Sequence, residues 1–315
     1  MKKILFLTLL FLILLLSLSM DCFKGTERRI DFSYDPEKAN ADLISKTDLS
    51  KYVDSCNNVG IDYKDNKLYL ASDKKVFQFN SNNLTLENAY NISLDVTYDY
   101  NITSITHDDN YFYILANEYD NTKNILRNYV LKNIDINNIS NIYSYENVSI
   151  NKIMKIRYDK VINTLFSLMS IAPYHPEDYF ISDSEYYLYI VTIANNLLSL
   201  FKIGSQNSFS RDNIQSFCYY LDRIIISKWG DDGELGISGS INCYNDQDYY
   251  NIWDTKSASS IDTSYLGDDD FVCIYDMVFD GTYLWCLVND DDKDAYITGG
   301  GTPYLLKLKP RWRDY

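Results

Sequence analysis

Histidine is scarce in this sequence, since only His107 and His175 occur among its 315 residues. A metal site built from three histidines is therefore excluded, and a Ser-His-Asp triad would have to use one of these two. No Gly-x-Ser-x-Gly motif accompanies them. The pattern favours a turn position for His107 and a surface loop for His175, and it predicts no catalytic residue.

Proline, glycine and paired-cysteine motifs are also few. Five prolines and twelve glycines are not typical of a chain with long disordered linkers. No Cys-x-x-Cys motif occurs, which argues against a zinc ribbon or a thioredoxin-type site. Six cysteines are compatible with an oxidising compartment, although their spacing leaves the pairing open. The six are Cys22, Cys56, Cys218, Cys243, Cys273 and Cys286.

Basic residues are outnumbered by acidic ones, 29 against 44, so the formal net charge is −15. A surface of this charge repels phosphate backbones, which excludes nucleic acid as a partner. It also disfavours adsorption to anionic lipid headgroups. The sequence therefore predicts a protein or glycan ligand, with membrane contact only through an N-terminal anchor or lipid.

The N-terminus has the pattern of an export signal. Two lysines precede an apolar run over residues 4–16, and Ser17-Leu18-Ser19 follows. A basic start, an apolar core and small residues are typical of a secretory signal peptide. We predict a signal peptide over residues 1–19.

Two alternatives stay open at this end of the chain. Cys22 stands where a lipoprotein would carry its acylated cysteine, which would extend the signal to residue 21, although Asp21 departs from the usual motif. Residues 4–20 could instead remain as an uncleaved anchor. Each of the three readings places the remainder outside the cytoplasm, as a secreted, periplasmic or lipid-anchored protein of the cell envelope.

One hairpin unit recurs along the chain. Its clearest copy is residues 277–287, where an apolar run enters Asp280-Gly281 and a second run leaves it. Asp-Gly predicts a tight turn with Gly281 at positive φ, and it places Phe279 opposite Thr282. Further copies span residues 61–70, 105–114, 156–168 and 217–226.

The second strand of each unit carries an aromatic residue at an equivalent or nearly equivalent position. We predict that these side chains pack between neighbouring sheets. They are Tyr69, Tyr113, Phe166, Tyr189 and Trp285.

The spacing of the units predicts an all-β fold. Units begin near residues 59, 103, 153, 214 and 274, at intervals that suit four-stranded propeller blades with loop insertions. We predict a β-propeller of five to seven blades, with six as the best estimate, over residues 56–315. Residues 20–55 would form an N-terminal segment that contributes a closing strand. A β-sandwich, or two small β domains, is the structural alternative.

On the units at residues 61–79, 105–131 and 277–308, the chain resembles exported bacterial β-propeller proteins, lipoproteins among them. The resemblance is architectural, since no WD, Kelch or YWTD signature occurs. It implies a propeller that presents loops for binding.

Exposed aromatic loops and acidic clusters are the candidate sites. Loop aromatics suit sugar stacking or protein contacts, and the predicted ligand-binding residues are Tyr174, Tyr249, Tyr250, Trp253 and Tyr265. The sequence predicts no cofactor, with Ca²⁺ as the alternative because clustered carboxylates provide its oxygen ligands. The calcium candidates are Asp231, Asp232, Glu234, Asp290, Asp292 and Asp294.

Without a catalytic motif, the function predicted is that of an exported, non-enzymatic binding or scaffold protein. The alternative is an extracytoplasmic propeller enzyme of the lactonase, lyase or glycosidase kind. Fold alone does not choose between them.

Overall fold

The structure is a computed structural model, and it describes residues 40–120, 125–136, 141–146, 151–171, 185–194, 197–202, 213–220, 223–231, 237–245, 259–262, 274–290 and 301–312. All these residues belong to one unit, residues 32–315. Every regular element within them is a β-strand. No helix in this part of the chain has the length and apolar character to cross a membrane.

The strands share an antiparallel arrangement in sheets of four. In chain order they are β1 (Ala41–Asp48), β2 (Gly60–Lys64), β3 (Lys67–Ser72), β4 (Lys75–Asn80), β5 (Leu86–Asn91), β6 (Asp99–His107), β7 (Phe112–Tyr119), β8 (Ile125–Asn133), β9 (Asn141–Glu146), β10 (Asn151–Asp159), β11 (Thr164–Ile171), β12 (Glu185–Ala194), β13 (Leu197–Lys202), β14 (Asn213–Tyr220), β15 (Arg223–Asp231), β16 (Ile237–Asn245), β17 (Ser259–Asp262), β18 (Ile274–Phe279), β19 (Leu284–Asp290) and β20 (Thr302–Pro310).

Five blades result from this order. Blade 1 is β2 to β5, blade 2 is β6 to β9, blade 3 is β10 to β13, and blade 4 is β14 to β17. Blade 5 combines β18, β19 and β20 with β1, which pairs with β20 as the outermost strand. The outer strands of blades 2 and 3 are joined by one parallel bridge between Ser144 and Leu197.

The blades form a closed ring. Each innermost strand, β2, β6, β10, β14 or β18, contacts the innermost strand of the next blade, and β18 contacts β2. The predicted β-propeller is therefore confirmed. The blade count of five lies within the predicted range and is one below the best estimate, because β1 joins the C-terminal sheet and does not begin a sixth.

A β-bulge repeats in the innermost strands of blades 2 to 5. The register shifts between Ile102 and Ser104 in β6, and corresponding shifts precede Lys155, Ser216 and Asp276. A bulge inserts one residue, bends the strand and redirects the side chain that follows. All four of the residues that follow a bulge are buried and polar.

In blade 1, Gly60 of strand β2 stands at the position that Ser104 has in strand β6 of blade 2. A Cβ atom at this position would lie 2.5 Å from the Cα atom of Ser104 in the next blade. Only glycine therefore fits where these two innermost strands approach.

The hairpin at Asp280 differs in register from the prediction. Gly281 has φ = 100°, as expected, but Phe279 pairs with Leu284 and not with Thr282. Four residues close the turn because Asp280 N–H donates to Tyr283 O at 3.0 Å. In the observed register Cys286 lies opposite Met277.

Trp285 is buried as predicted, with 1% of its surface exposed. It packs in an apolar layer between blades 5 and 1, together with Leu287, Leu305, Ile61 and Leu68. Similar layers lie between blades 1 and 2, 2 and 3, and 4 and 5. Burial between blades, not within one sheet, thus supplies the core of the ring.

Candidate functional site

A buried polar cluster fills the axis of the propeller. Lys155 in blade 3 reaches across to blade 1, where its Nζ donates to Val59 O at 2.7 Å, and to blade 2, where it donates to Thr103 O at 3.1 Å. Its Nζ also lies 3.6 Å from Asp276 Oδ2 in blade 5. One ammonium group therefore contacts three other blades.

Arg157, two residues further along β10, completes the cluster. Its guanidinium donates to Asp276 Oδ1, to Ser104 Oγ at 3.1 Å and to Met277 O at 3.3 Å. Asp276 in turn accepts from the hydroxyl of Ser216 in blade 4, and from the backbone N–H of Ile61 in blade 1 at 3.0 Å. The carboxylate of Asp276 thus touches blades 1, 3 and 4.

The charged groups of this cluster shift one another's pKa values. Burial opposes ionisation of Asp276 most strongly, but Arg157, Lys155 and the hydrogen bond from Ser216 together hold its pKa below the ordinary value. Burial, opposed by Asp276, lowers the pKa of Lys155. Both oxygens of Asp276 are occupied by these partners, so the cluster ties the blades together.

A second polar group lies where the innermost strands end. We call this end the turn face, defined by the turns at residues 65–66, 108–111, 160–163 and 280–283. Here Asp62 of blade 1, His107 of blade 2 and Lys160 of blade 3 form a chain. The distance from His107 Nδ1 to Asp62 Oδ2 is 2.5 Å, and that from Lys160 Nζ to His107 Nε2 is 3.0 Å.

The neighbours of His107 assign its tautomer. The ammonium of Lys160 can only donate, so Nε2 accepts, and the ring proton of a neutral imidazole lies on Nδ1, where it is donated to Asp62. Asp62 and His107 are buried, whereas the side chain of Lys160 is 54% exposed. A buried carboxylate that orients an imidazole, with the other nitrogen facing an exposed group, is the arrangement of a general acid–base catalyst.

Aromatic residues and a second lysine support this group. The ring of Phe112 lies 6.1 Å from the ring of His107 and 5.0 Å from that of Tyr69. Lys64 Nζ lies 4.8 Å from the Phe112 ring centroid and donates to Asp108 O at 3.2 Å. Lys64 therefore brings a second ammonium group to the backbone of Asp108, the residue that follows His107.

Two further carboxylates of the turn face, those of Asp108 and Asp280, cap their turns. Asp108 Oδ1 accepts from Tyr111 N at 2.5 Å, and its Oδ2 accepts from the hydroxyl of Tyr113 at 2.7 Å. Burial and the bond to Asp108 raise the pKa of Tyr113. Asp280 caps its turn in the same way, since its Oδ1 accepts from Tyr283 N at 2.7 Å and its Oδ2 accepts from Trp285 Nε1 at 2.8 Å.

The residues predicted as ligand-binding or metal sites fall almost entirely outside the described residues. Of the calcium candidates, Asp231 and Asp290 are the last residues of strands β15 and β19, and only their backbone is described. Within the described ranges, no group of three or more His, Cys, Asp or Glu residues could hold a metal ion. The positions outside the description are Tyr174, Tyr249, Tyr250, Trp253, Tyr265, Asp232, Glu234, Asp292, Asp294 and Cys22.

His107 is the residue that the sequence reading undervalued. It ends strand β6 in the interior and does not lie in an exposed turn. The sequence held a signal only at Asp62, which lies between Ile61 and Tyr63, whereas His107 lies between the polar residues Thr106 and Asp108.

Comparison with solved structures supports the same fold. The exo-β-1,3-galactanase of Phanerochaete chrysosporium with β-1,3-galactotriose aligns with a TM-score of 0.53 at 8% identity, over 85% of this chain and 63% of that one. The same enzyme with galactose gives 0.52 at 9% identity, over 85% and 64%. An endo-arabinanase of Bacillus licheniformis gives 0.48 at 11% identity, over 81% and 94%.

The chain spans less than two thirds of the galactanase length, and at this identity the likeness concerns the fold. No family model matches the chain, and no curated protein does. The predicted non-enzymatic binding or scaffold role is nevertheless wrong on this comparison, because the propeller that aligns with a TM-score above 0.5 is an exo-β-1,3-galactanase. The prediction that the chain is not an enzyme is corrected with it.

Proposed function

We propose that this protein is a glycan-acting propeller enzyme whose acid–base group is His107, held by Asp62 on the turn face. The observation that carries the proposal is the chain from Asp62 Oδ2 through His107 to Lys160 Nζ, with successive distances of 2.5 and 3.0 Å. Three blades contribute one residue each. The rigid ring therefore fixes the orientation of the imidazole, which general acid–base catalysis requires.

Each residue has a separate part in this proposal. His107 Nε2 takes or returns a proton at the glycan, and Asp62 stabilises the imidazolium that forms. Lys160 contacts the substrate from the exposed side. Glycosidase, lyase and lactonase chemistry all need such a proton-transferring group, and the galactanase neighbours favour glycans as the substrate class.

The place of action that we propose is outside the cytoplasm, in agreement with the basic, apolar and small-residue order of residues 1–19. Polymeric glycans of the kind that the neighbouring enzymes bind are also encountered there. The proposed step uses side chains alone, and calcium binding by the acidic clusters stays a separate prediction.

The test is cleavage of a panel of neutral and acidic polysaccharides, followed as the release of new chain ends. We expect His107→Asn to lower kcat by roughly 10²–10⁴-fold, the usual contribution of a general acid–base residue. Lys75→Met is the matched control, because Lys75 is an exposed lysine at the other end of a blade. Thermal melts of all variants check folding.

Two results would contradict the proposal. A folded His107→Asn variant with wild-type turnover would show that His107 is not the acid–base group. Failure of the wild-type protein to cleave any polysaccharide of the panel would contradict the proposal that it is a glycan-acting enzyme.

A further inference from the structure

We infer that the substrate is an acidic glycan, whose uronate carboxylate pairs with Lys160, and that His107 cleaves it by elimination. This inference rests on the proposed function and adds the substrate class and the reaction type to it.

In the structure the proposed base, His107, is blocked. The lone pair of His107 Nε2 is occupied by the ammonium of Lys160 at 3.0 Å. A base in this state cannot accept a proton until Lys160 finds another partner. A carboxylate is the partner that competes best for an ammonium, because a charge-assisted hydrogen bond is about twice as strong as a neutral one. An acidic sugar would therefore release the base at the moment it binds.

Lys160 is held only weakly in this position. Its side chain is 54% exposed, and its carboxylate neighbour Asp109 lies 4.0 Å away and is 89% exposed. An ion pair with this exposure contributes little energy. Lys160 can thus leave both His107 and Asp109 for a bound carboxylate, whereas buried Asp62 keeps the imidazole in place.

Elimination suits the described residues better than hydrolysis does. Glycoside hydrolysis usually needs two carboxyl groups flanking the scissile bond. Among the described residues of the turn face, both oxygens of Asp108 and of Asp280 accept hydrogen bonds within their own turns, Asp62 is paired with His107, and Asp109 is 89% exposed beside Lys160. Elimination needs one base and a cation on the substrate carboxylate, and His107 and Lys160 supply these.

The surroundings fit a sugar ring. Val161 and Ile162 follow Lys160 in the same turn and are 59% and 44% exposed. Sugar sites combine apolar surface with a few placed polar groups. Lys64, which donates to the backbone oxygen of Asp108 next to His107, adds a second ammonium group.

The net charge of −15 opposes the approach of an acidic polymer. This repulsion is screened beyond about 8 Å at physiological ionic strength, so it slows encounter and acts less on the contact with Lys160. We therefore expect moderate salt to raise kcat/KM on an acidic glycan.

The proposed reaction balances without any co-reactant. His107 Nε2 takes the proton from the ring carbon that bears the carboxylate. The electron pair of that C–H bond forms a carbon–carbon double bond with the next ring carbon. The bond from that second carbon to the glycosidic oxygen breaks, and the departing oxygen takes a proton from water. The hydroxide that remains takes the proton from the His107 imidazolium, which restores both the water molecule and the neutral base.

The test compares polygalacturonate, its methyl ester and neutral β-1,3-galactan, with two readouts: new chain ends and ultraviolet absorbance of the new double bond. We expect the wild-type protein to produce both signals from polygalacturonate and to prefer it to the ester. Lys160→Met should raise KM for polygalacturonate roughly tenfold or more, Lys160→Arg should restore part of the loss, and Lys75→Met should change nothing.

The outcomes separate the inference from the proposed function. New ends from neutral galactan without a double bond would overturn the inference and leave the glycan-acting enzyme standing. A preference for the ester over the free acid would overturn the role of Lys160. Failure to cleave any of the three polymers, together with the wider panel, would overturn both.

Discussion

The carboxylate of Asp276 in blade 5 and the guanidinium of Arg157 in blade 3 meet at the axis of the propeller, and neither is exposed to solvent. The two residues are 119 positions apart in the chain. This ion pair joins blades 3 and 5, which are distant in the sequence. Lys155 extends the cluster to blades 1 and 2. The stability of the closed ring should therefore depend on Asp276.

Replacing Asp276 with Asn should destabilise the protein by roughly 3–5 kcal/mol, because two buried cations would lose their counter-ion. Asp99→Asn is the control, since Asp99 pairs with Lys74 at 2.6 Å but is 75% exposed. We expect the control to cost less than about 1 kcal/mol. Urea unfolding measures both, and equal losses would refute a special role for the axial cluster.

The same carboxylate should make stability depend on pH. The pKa of Asp276 is lowered in the folded protein from its ordinary value of 3.8. A lowered carboxylate pKa contributes stability that is present above the unfolded value and is lost as the pH falls through the folded value. Below about pH 4 we expect the wild-type protein to lose stability faster than Asp276→Asn, as measured by urea midpoints across the acid range.

Trp285 tests the apolar layers between blades. Trp285→Ala should cost roughly 3–5 kcal/mol through the cavity that it leaves between blades 5 and 1. Trp285→Phe keeps most of the volume and removes the indole N–H that donates to Asp280, so its cost should be smaller. Tyr250→Ala, at a residue predicted to be presented to a ligand, should barely change the melting temperature. Equal losses for the three would contradict this division.

Gly60 tests the approach of blades 1 and 2. A methyl group there would meet the backbone of Ser104 at 2.5 Å, which no rotamer change can relieve. We expect Gly60→Ala to cost roughly 1–3 kcal/mol, the usual range for overpacking. Ala71→Gly, at the residue of strand β3 that pairs with Gly60, is the control for an exchange between alanine and glycine in this pair of strands. A melting temperature unchanged by Gly60→Ala would show that the strands can separate here.

The sequence predicted the ring because one hairpin recurs with its Asp-led turn and its aromatic second strand. It could not predict the register at Asp280, because the side chain of that residue caps the turn and widens it to four residues. It also could not predict the axial cluster. Lys155 and Arg157 lie in a segment that reads as an ordinary strand, and their partner Asp276 is brought to them only when the ring closes.

The candidate site was missed for a related reason. Asp62 and His107 are 45 residues apart, and His107 is followed directly by Asp108 and Asp109, which suggest exposure. Their burial follows from the contact between strands β2 and β6, which sequence patterns do not report. The predicted aromatic loop site and the calcium clusters stay predictions.

The tautomer of His107 provides a test of the site that does not depend on activity. In the wild-type protein the ring proton should lie on Nδ1, because Asp62 accepts it and Lys160 donates to Nε2. Lys160→Met should leave the proton on Nδ1, since Asp62 still accepts it. Asp62→Asn removes the negative charge that fixes this arrangement, so the population with the proton on Nε2 should increase, most clearly in the double variant with Lys160→Met. Long-range ¹H–¹⁵N spectra of the imidazole distinguish the two nitrogens, and His175→Gln isolates the His107 signals. A wild-type spectrum with the proton on Nε2 would contradict the proposed chain from Asp62 to Lys160, and with it the assignment of Nε2 as the base.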